Sequence, residues 1–288
     1  MTTDPSPSPP RVLQTHDEIV SAFSLMRDEL DEHNDRRERL VKTSRDITII
    51  AKRVIFLLHR LVTEASPTDP NAFTSAAAQG RDKLVAAQKL FRSMREDLEG
   101  SRFWHYQQAI SPGLQEYIEA LAFAHYVETG RLIGYHDVQN SLCCNDDENR
   151  KENVKLFPLP MDDYLLGVSD VTGELMRFAI TAIGRRGGRG TARAVSDFVR
   201  NCKADFEGFT PYVRHLGKKQ SVTAQSLQKI EDTAYAIAVR TSEYDLPEDM
   251  LDDIVEHCVS DVRRGGSSGR GRQRFGGGEY EEESEEDY

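Results

Sequence analysis

The sequence predicts an all-α protein, a single-domain bundle of about seven helices whose first helix is very long. Apolar residues recur at intervals of three and four along most of the 288-residue chain, the spacing that gathers them on one face of a helix. No segment alternates with period two long enough to make a strand. Charged residues (30 %) are plentiful beside 38 % hydrophobic ones, a composition that long amphipathic helices produce.

Residues 1–14, rich in Pro, Ser and Thr, offer little to bury and read as a disordered leader. From Thr15 the stripe Ile19, Phe23, Met26, Leu30, Leu40, Ile47, Val54, Leu58 and Leu61, with no Gly or Pro between Pro10 and Pro67, marks one helix over 15–64. At about 1.5 Å per residue it would be about 75 Å long, a rod that needs partner helices along its length. A loop with Pro67 and Pro70 leads to a second helix from Phe73 to Leu98, closed by Gly100.

Ser111 suits an N-cap and Pro112 a first turn, so a third helix is expected to open there and to end before Gly130. Residues 140–160 are polar with two late prolines and read as a long loop. A fourth helix starts near Asp162 and stops before the GRRGGRG run at 184–190; two more follow over 192–206 and 211–240, and a short one after Pro247. The helical domain is thus expected over 15–260. Residues 261–288 turn to Gly, Arg and Ser and then to Glu, a disordered tail. Its Arg263, Arg264, Arg270, Arg272, Arg274 and Phe275 suit loose RNA binding through charge and stacking, and equally its acidic end can pair with its basic half.

The net charge is −11, but seven of the last ten residues are acidic, which leaves −4 for the rest. The body is only mildly acidic, so charge does not exclude an anionic partner. No apolar run approaches the roughly 20 residues that span a bilayer, and no membrane contact is expected. The four cysteines lack CxxC spacing and follow no apolar leader, which points to reduced thiols in cytosol and nucleus. No Gly-rich stretch reads GxxxxGK[ST], and no histidine, His59 included, has an HExxH companion; each reads as a packed, capping or surface residue.

Two acid pairs interrupt otherwise apolar helices. Glu116 and Glu119 lie at i, i+3 in LQEYIEALAFAHY, and Asp170 and Glu174 at i, i+4 in DDYLLGVSDVTGELMRFAI, so each pair leaves one face of one helix. Burying four ionised carboxylates together is untenable unless a cation neutralises them. Oxygen donors without a Glu-x-x-His pair favour Mg²⁺, with Mn²⁺ as the second candidate, over iron. Such an ion can polarise a phosphoryl oxygen and activate water. The same spacing also suits solvated faces paired with Arg or Lys, as Glu174 with Arg177.

The first helix supplies the opposite charge. Arg36, Arg37, Arg39, Lys42, Arg45, Lys52, Arg53 and Arg60 fall within 25 residues, opposed only by Glu38 and Asp46. A stripe of this kind can track a phosphate backbone, with Arg39, Lys42, Arg45, Lys52 and Arg53 as the candidate RNA-binding set; it can equally be a solvated face.

The stretches ERLVKTSRDITIIAKRVIFLLHR (38–60), GLQEYIEALAFAHYVETGRLI (113–133), DYLLGVSDVTGELMRFAI (163–180) and LQKIEDTAYAIAVRTSE (227–243) resemble the translin family and, within it, the translin-associated factor X branch. That resemblance implies a helical subunit that assembles with translin into a hetero-octameric shell. It also implies a Mg²⁺-dependent endoribonuclease acting on single-stranded RNA, from small-RNA silencing or transfer-RNA maturation, with single-stranded DNA as a further ligand. Its catalytic and metal-binding acids would fall on Glu116, Glu119, Asp170 and Glu174. The other reading is a non-catalytic scaffold or nucleic-acid-binding partner of translin. The resemblance leaves the GRRGGRG loop and the tail as additions.

Overall fold

A computed structural model describes residues 15–65, 69, 71–144, 154–183 and 188–243. The expected leader, most of the GRRGGRG loop, the short helix after Pro247 and the tail lie outside the described residues. Within them the architecture is helical: α1 (His16–Glu64), α2 (Ala72–Ser93), a 3₁₀ turn (Glu96–Leu98), α3 (Arg102–Thr129), α4 (Tyr135–Ser141), α5 (Met161–Ile183), α6 (Arg189–Glu207) and α7 (Leu216–Glu243). Two two-residue strands, β1 (Cys143–Cys144) and β2 (Val154–Lys155), pair antiparallel across the polar segment.

The 49-residue α1 starts where the sequence places it. The Thr15 side chain accepts from the Glu18 N–H while the Glu18 carboxylate accepts from the Thr15 N–H, a capping box that satisfies two donors at the helix start. From Leu40 onward the stripe Leu40, Ile47, Ala51, Val54 and Leu58 is buried against α2 and α3. Before that the same stripe (Ile19, Phe23, Met26, Leu30) stays exposed.

Three elements differ from the sequence expectation. The second helix stops at Ser93 and its last turn tightens to 3₁₀. Residues 140–160 are not all loop, since α4 and the short ladder occupy part of them. The third helix starts nine residues earlier than Ser111, with Pro112 inside it. Pro112 forfeits one helical hydrogen bond, and tertiary bonds compensate: Ser44 of α1 accepts from the Gly113 N–H at 3.0 Å and donates to the Ile110 carbonyl at 3.3 Å.

Four contacts climb α1 and α3 together, so the two helices run parallel: His33 with Tyr106, Ser44 with Gly113, Lys52 with Glu116, His59 with Phe123. Helix α5 runs parallel to α3 in turn. Buried Asp163 accepts from Gln115 at 2.8 Å and Ser111 at 3.0 Å, and Phe178 meets Phe123 further along. Two glycines set the spacing. A Cβ on Gly113 would stand 2.5 Å from the Ser44 carbonyl oxygen, and one on Gly167 would stand 2.9 Å from the Gln115 carbonyl oxygen. Each glycine sits three residues before an acid, Gly113 before Glu116 and Gly167 before Asp170. The closest helix approaches therefore lie one turn below the carboxylates.

Candidate functional site

Where α1, α3 and α5 lie side by side, a pocket of about 420 Å³ opens among Lys52, Phe56 and His59 of α1, Glu116 and Glu119 of α3, and Glu174 and Arg177 of α5. Three of the four sequence-predicted acids line it. Asp170 does not; it lies one turn earlier on α5, where Lys219 of α7 pairs with it. It still acts on the group, since its charge is felt at Glu119.

Each of three acids has a cationic partner from its own chain. Lys52 Nζ is 3.1 Å from Glu116 Oε1, Lys219 meets Asp170, and Glu174 is flanked by His59 Nε2 and Arg177, each at 2.7 Å. Burial pushes the Glu174 carboxyl up, but the hydrogen bond from His59 and the charge of Arg177 more than reverse it, holding Glu174 below the usual carboxylate range. It stays an anion although only 8 % exposed.

Glu119 is the exception. It forms no hydrogen bond or ion pair with any described residue. Burial first, then the charges of Asp170, Glu174 and Glu116, push its carboxyl up to about 8, against a smaller opposing pull from Lys219. That is the electrostatic signature of a half-buried acid lacking a positive charge.

Among the described residues no group of three or more His, Cys, Asp or Glu side chains stands where it could hold a metal ion. The chemistry of the donors nonetheless fits a hard cation. All four are carboxylates, and Glu119, which feels the charges of the other three, has no ion-pair partner of its own among the described residues. Lys52, Lys219 and Arg177 already neutralise much of the surrounding charge.

The basic residues of α1 divide by face. Arg39 is held by Asp97 at 3.0 Å, away from the pocket. Lys52 is at the carboxylates, and Arg45 lines a separate opening between α1 and α3. Lys42 and Arg53 are exposed and project further round the helix, by its 3.6-residue turn. The pairing of Glu174 with Arg177 was legible from their spacing. The roles of His59, Lys219 and Phe56 were not, because the first two meet partners far away in sequence and Phe56 shows itself only as an exposed ring (73 %) at the pocket.

Residues 35–241 match the Translin family. Translin-associated protein X of Pongo abelii is 37 % identical over 256 residues, covering 82 % of this chain and 83 % of that protein. The translin-associated protein X homolog of Schizosaccharomyces pombe is 30 % identical over 229 residues, covering 77 % and 89 %. Human translin is 21 % identical over 222 residues, covering 77 % and 93 %. Among solved structures, an AfC3PO–duplex RNA complex superposes with a TM-score of 0.55 at 20 % identity, covering 77 % of this chain and 100 % of that one. That likeness bears on the fold.

Proposed function

The chain belongs to the translin family, and from that premise we propose that it is the endoribonuclease subunit of a complex with translin, cleaving single-stranded RNA with Mg²⁺. The observation that carries the reading is Glu119, a half-buried carboxylate with no ion-pair partner among the described residues, which feels the charges of the three others. Glu116, Glu119, Asp170 and Glu174 would hold the ion. When bound, Mg²⁺, or Mn²⁺ in its place, supplies polarisation of a phosphoryl oxygen and a lowered pKa for attacking water.

The chain's own groups do the rest. Lys52 and Arg177 line the pocket, each on a carboxylate of its own chain, and are the cations available there to an incoming phosphodiester. Phe56 offers a solvent-facing ring on which a base can stack. His59 holds Glu174 Oε2 in place, so the α5 carboxylate keeps its orientation as the strand enters. Small-RNA passenger fragments and transfer-RNA fragments are the substrate classes that follow from the family, with the cytoplasm and nucleus as the compartments.

Partnership with translin is supported by the exposed start of α1. Ile19, Phe23, Met26 and Leu30 continue the register of the buried core stripe into solvent, a seam of the kind a second helix covers. A hetero-octameric shell would bury it.

A second reading, a binding or scaffolding subunit without turnover, is favoured by one observation: three of the four acids already have a cation on them, Lys52 on Glu116, Lys219 on Asp170 and Arg177 on Glu174. The two readings separate in one experiment. Wild type and Asp170→Asn, each assembled with translin, are given labelled single-stranded RNA with Mg²⁺ and with EDTA. The enzyme reading requires EDTA-sensitive cleavage that Asp170→Asn loses while it still binds RNA. EDTA-resistant cleavage or an unaffected variant overturns it.

A further inference from the structure

A second, separate pocket of about 500 Å³ opens between α1 and α3, about 20 Å nearer the start of α1 than the carboxylates by the helical rise. Arg37 and Arg45 of α1 line it, with His33, and His105 and Gln108 reach it from α3. Buried Tyr106 forms part of its wall, its ring centroid 4.8 Å from that of His33.

The charge here is the reverse of that in the first pocket. Neighbouring arginines are engaged by their own chain: Arg36 and Arg39 meet Asp97, and Arg102 meets Glu99. Arg37 and Arg45 are exposed and form no ion pair or hydrogen bond with any described residue, and no carboxylate lines the pocket. Two uncompensated guanidinium groups beside imidazole and phenol rings suit a phosphate with a base attached, since the guanidinium fork matches phosphate oxygens and flat rings stack on bases.

We propose that this pocket is a second nucleotide subsite, which grips the same single strand that the carboxylate pocket acts on and fixes its register there. The inference rests on the RNA-cleaving reading above. At about 3.4 Å per stacked nucleotide the two pockets stand about six nucleotides apart, fewer for an extended strand. A dinucleotide is too short to occupy both.

The test measures binding in EDTA, apart from any chemistry, with the full-length chain alone and mixed with translin. The ligand is a labelled RNA about twelve nucleotides long. Arg37→Gln/Arg45→Gln is compared with wild type and with Arg131→Gln/Arg214→Gln, which removes the same charge from exposed arginines elsewhere. The pocket pair should weaken binding on the order of tenfold and flatten the salt dependence by about 1.4, two phosphate contacts at about 0.7 each. The control pair should bind as wild type does.

Equal binding of the long RNA by the pocket variant and wild type overturns the subsite, and so does an equal loss in the control pair. Adenosine monophosphate binding that the pocket variant loses, with the long RNA unaffected, reassigns the pocket to free nucleotides and likewise overturns it. If wild type itself does not bind the long RNA, the RNA reading fails and the subsite falls with it.

Discussion

His59 Nε2 lies 2.7 Å from Glu174 Oε2, joining α1 to α5 across 115 residues of sequence. The imidazole is also tilted against Phe123 of α3, with ring centroids 4.7 Å apart, so one side chain ties together the three helices that form the pocket. His59→Ala removes a hydrogen bond to a buried carboxylate and opens a space beside Phe123. Stability should fall by about 1–3 kcal/mol, seen as a lower unfolding midpoint in denaturant. RNA cleavage by the complex should fall as well. His59→Gln, which can still donate to Glu174, should recover part of both.

Glu119 gives a pH signature. Its folded carboxyl is pushed up to about 8 from an ordinary 4.5, so between those values the folded chain holds a proton that the unfolded chain has released. Stability of the metal-free chain should therefore decline as pH rises from about 4.5 to about 8 and level off above that, a loss on the order of a few kcal/mol. Glu119→Gln should remove this part of the slope and be the more stable chain at pH 9 in EDTA. Thermal melts across pH check it; parallel curves for the two chains would show that Glu119 is not the strained acid.

Gly167 lets α5 approach α3. A methyl there would stand 2.9 Å from both the Gln115 carbonyl oxygen and Ile118 Cβ, neither of which can swing aside. Gly167→Ala should cost about 1–3 kcal/mol by overpacking and should shift Asp170 and Glu174 relative to Glu116 and Glu119. Gly173→Ala, on the same helix with open space around its Cβ, is the control and should be neutral or slightly stabilising. Urea unfolding of both variants, together with RNA cleavage, tests the pair.

The exposed seam of α1 should govern assembly. Phe23→Asp/Leu30→Asp replaces two side chains that are 68 % and 65 % exposed, so the fold of the single chain should be unchanged by circular dichroism. Co-purification with translin should be lost. A double variant that still forms the full complex would show that another surface holds the subunits together.

Much of this was legible from sequence, and the parts that were not share a cause. The extent of α1 was set by a 3.6-residue pattern with no Gly or Pro, a local signal. The acid pairs were visible because Glu116, Glu119, Asp170 and Glu174 interrupt apolar faces. Periodicity says which face of a helix turns inward but not which helix it meets, so Lys219 beside Asp170 and His59 beside Glu174 could not be read. Pro112 misled for a related reason. It usually marks a first turn, but Ser44, 68 residues earlier, supplies the bonds that let α3 run through it. The separation of Arg39 from Lys52 and Arg45 likewise depended on Asp97, which lies beyond the end of α2.

The central claim is that four carboxylates on α3 and α5 take up one divalent cation. Diffraction from crystals of the full complex soaked in Mn²⁺, recorded near the manganese absorption edge, tests it most directly. The expected result is an anomalous peak at Glu119, with carboxylate oxygens of at least two of Glu116, Asp170 and Glu174 as further ligands and with Lys52 moved off Glu116. No peak there at saturating Mn²⁺, with Lys52 and Lys219 still on their carboxylates, would contradict the account.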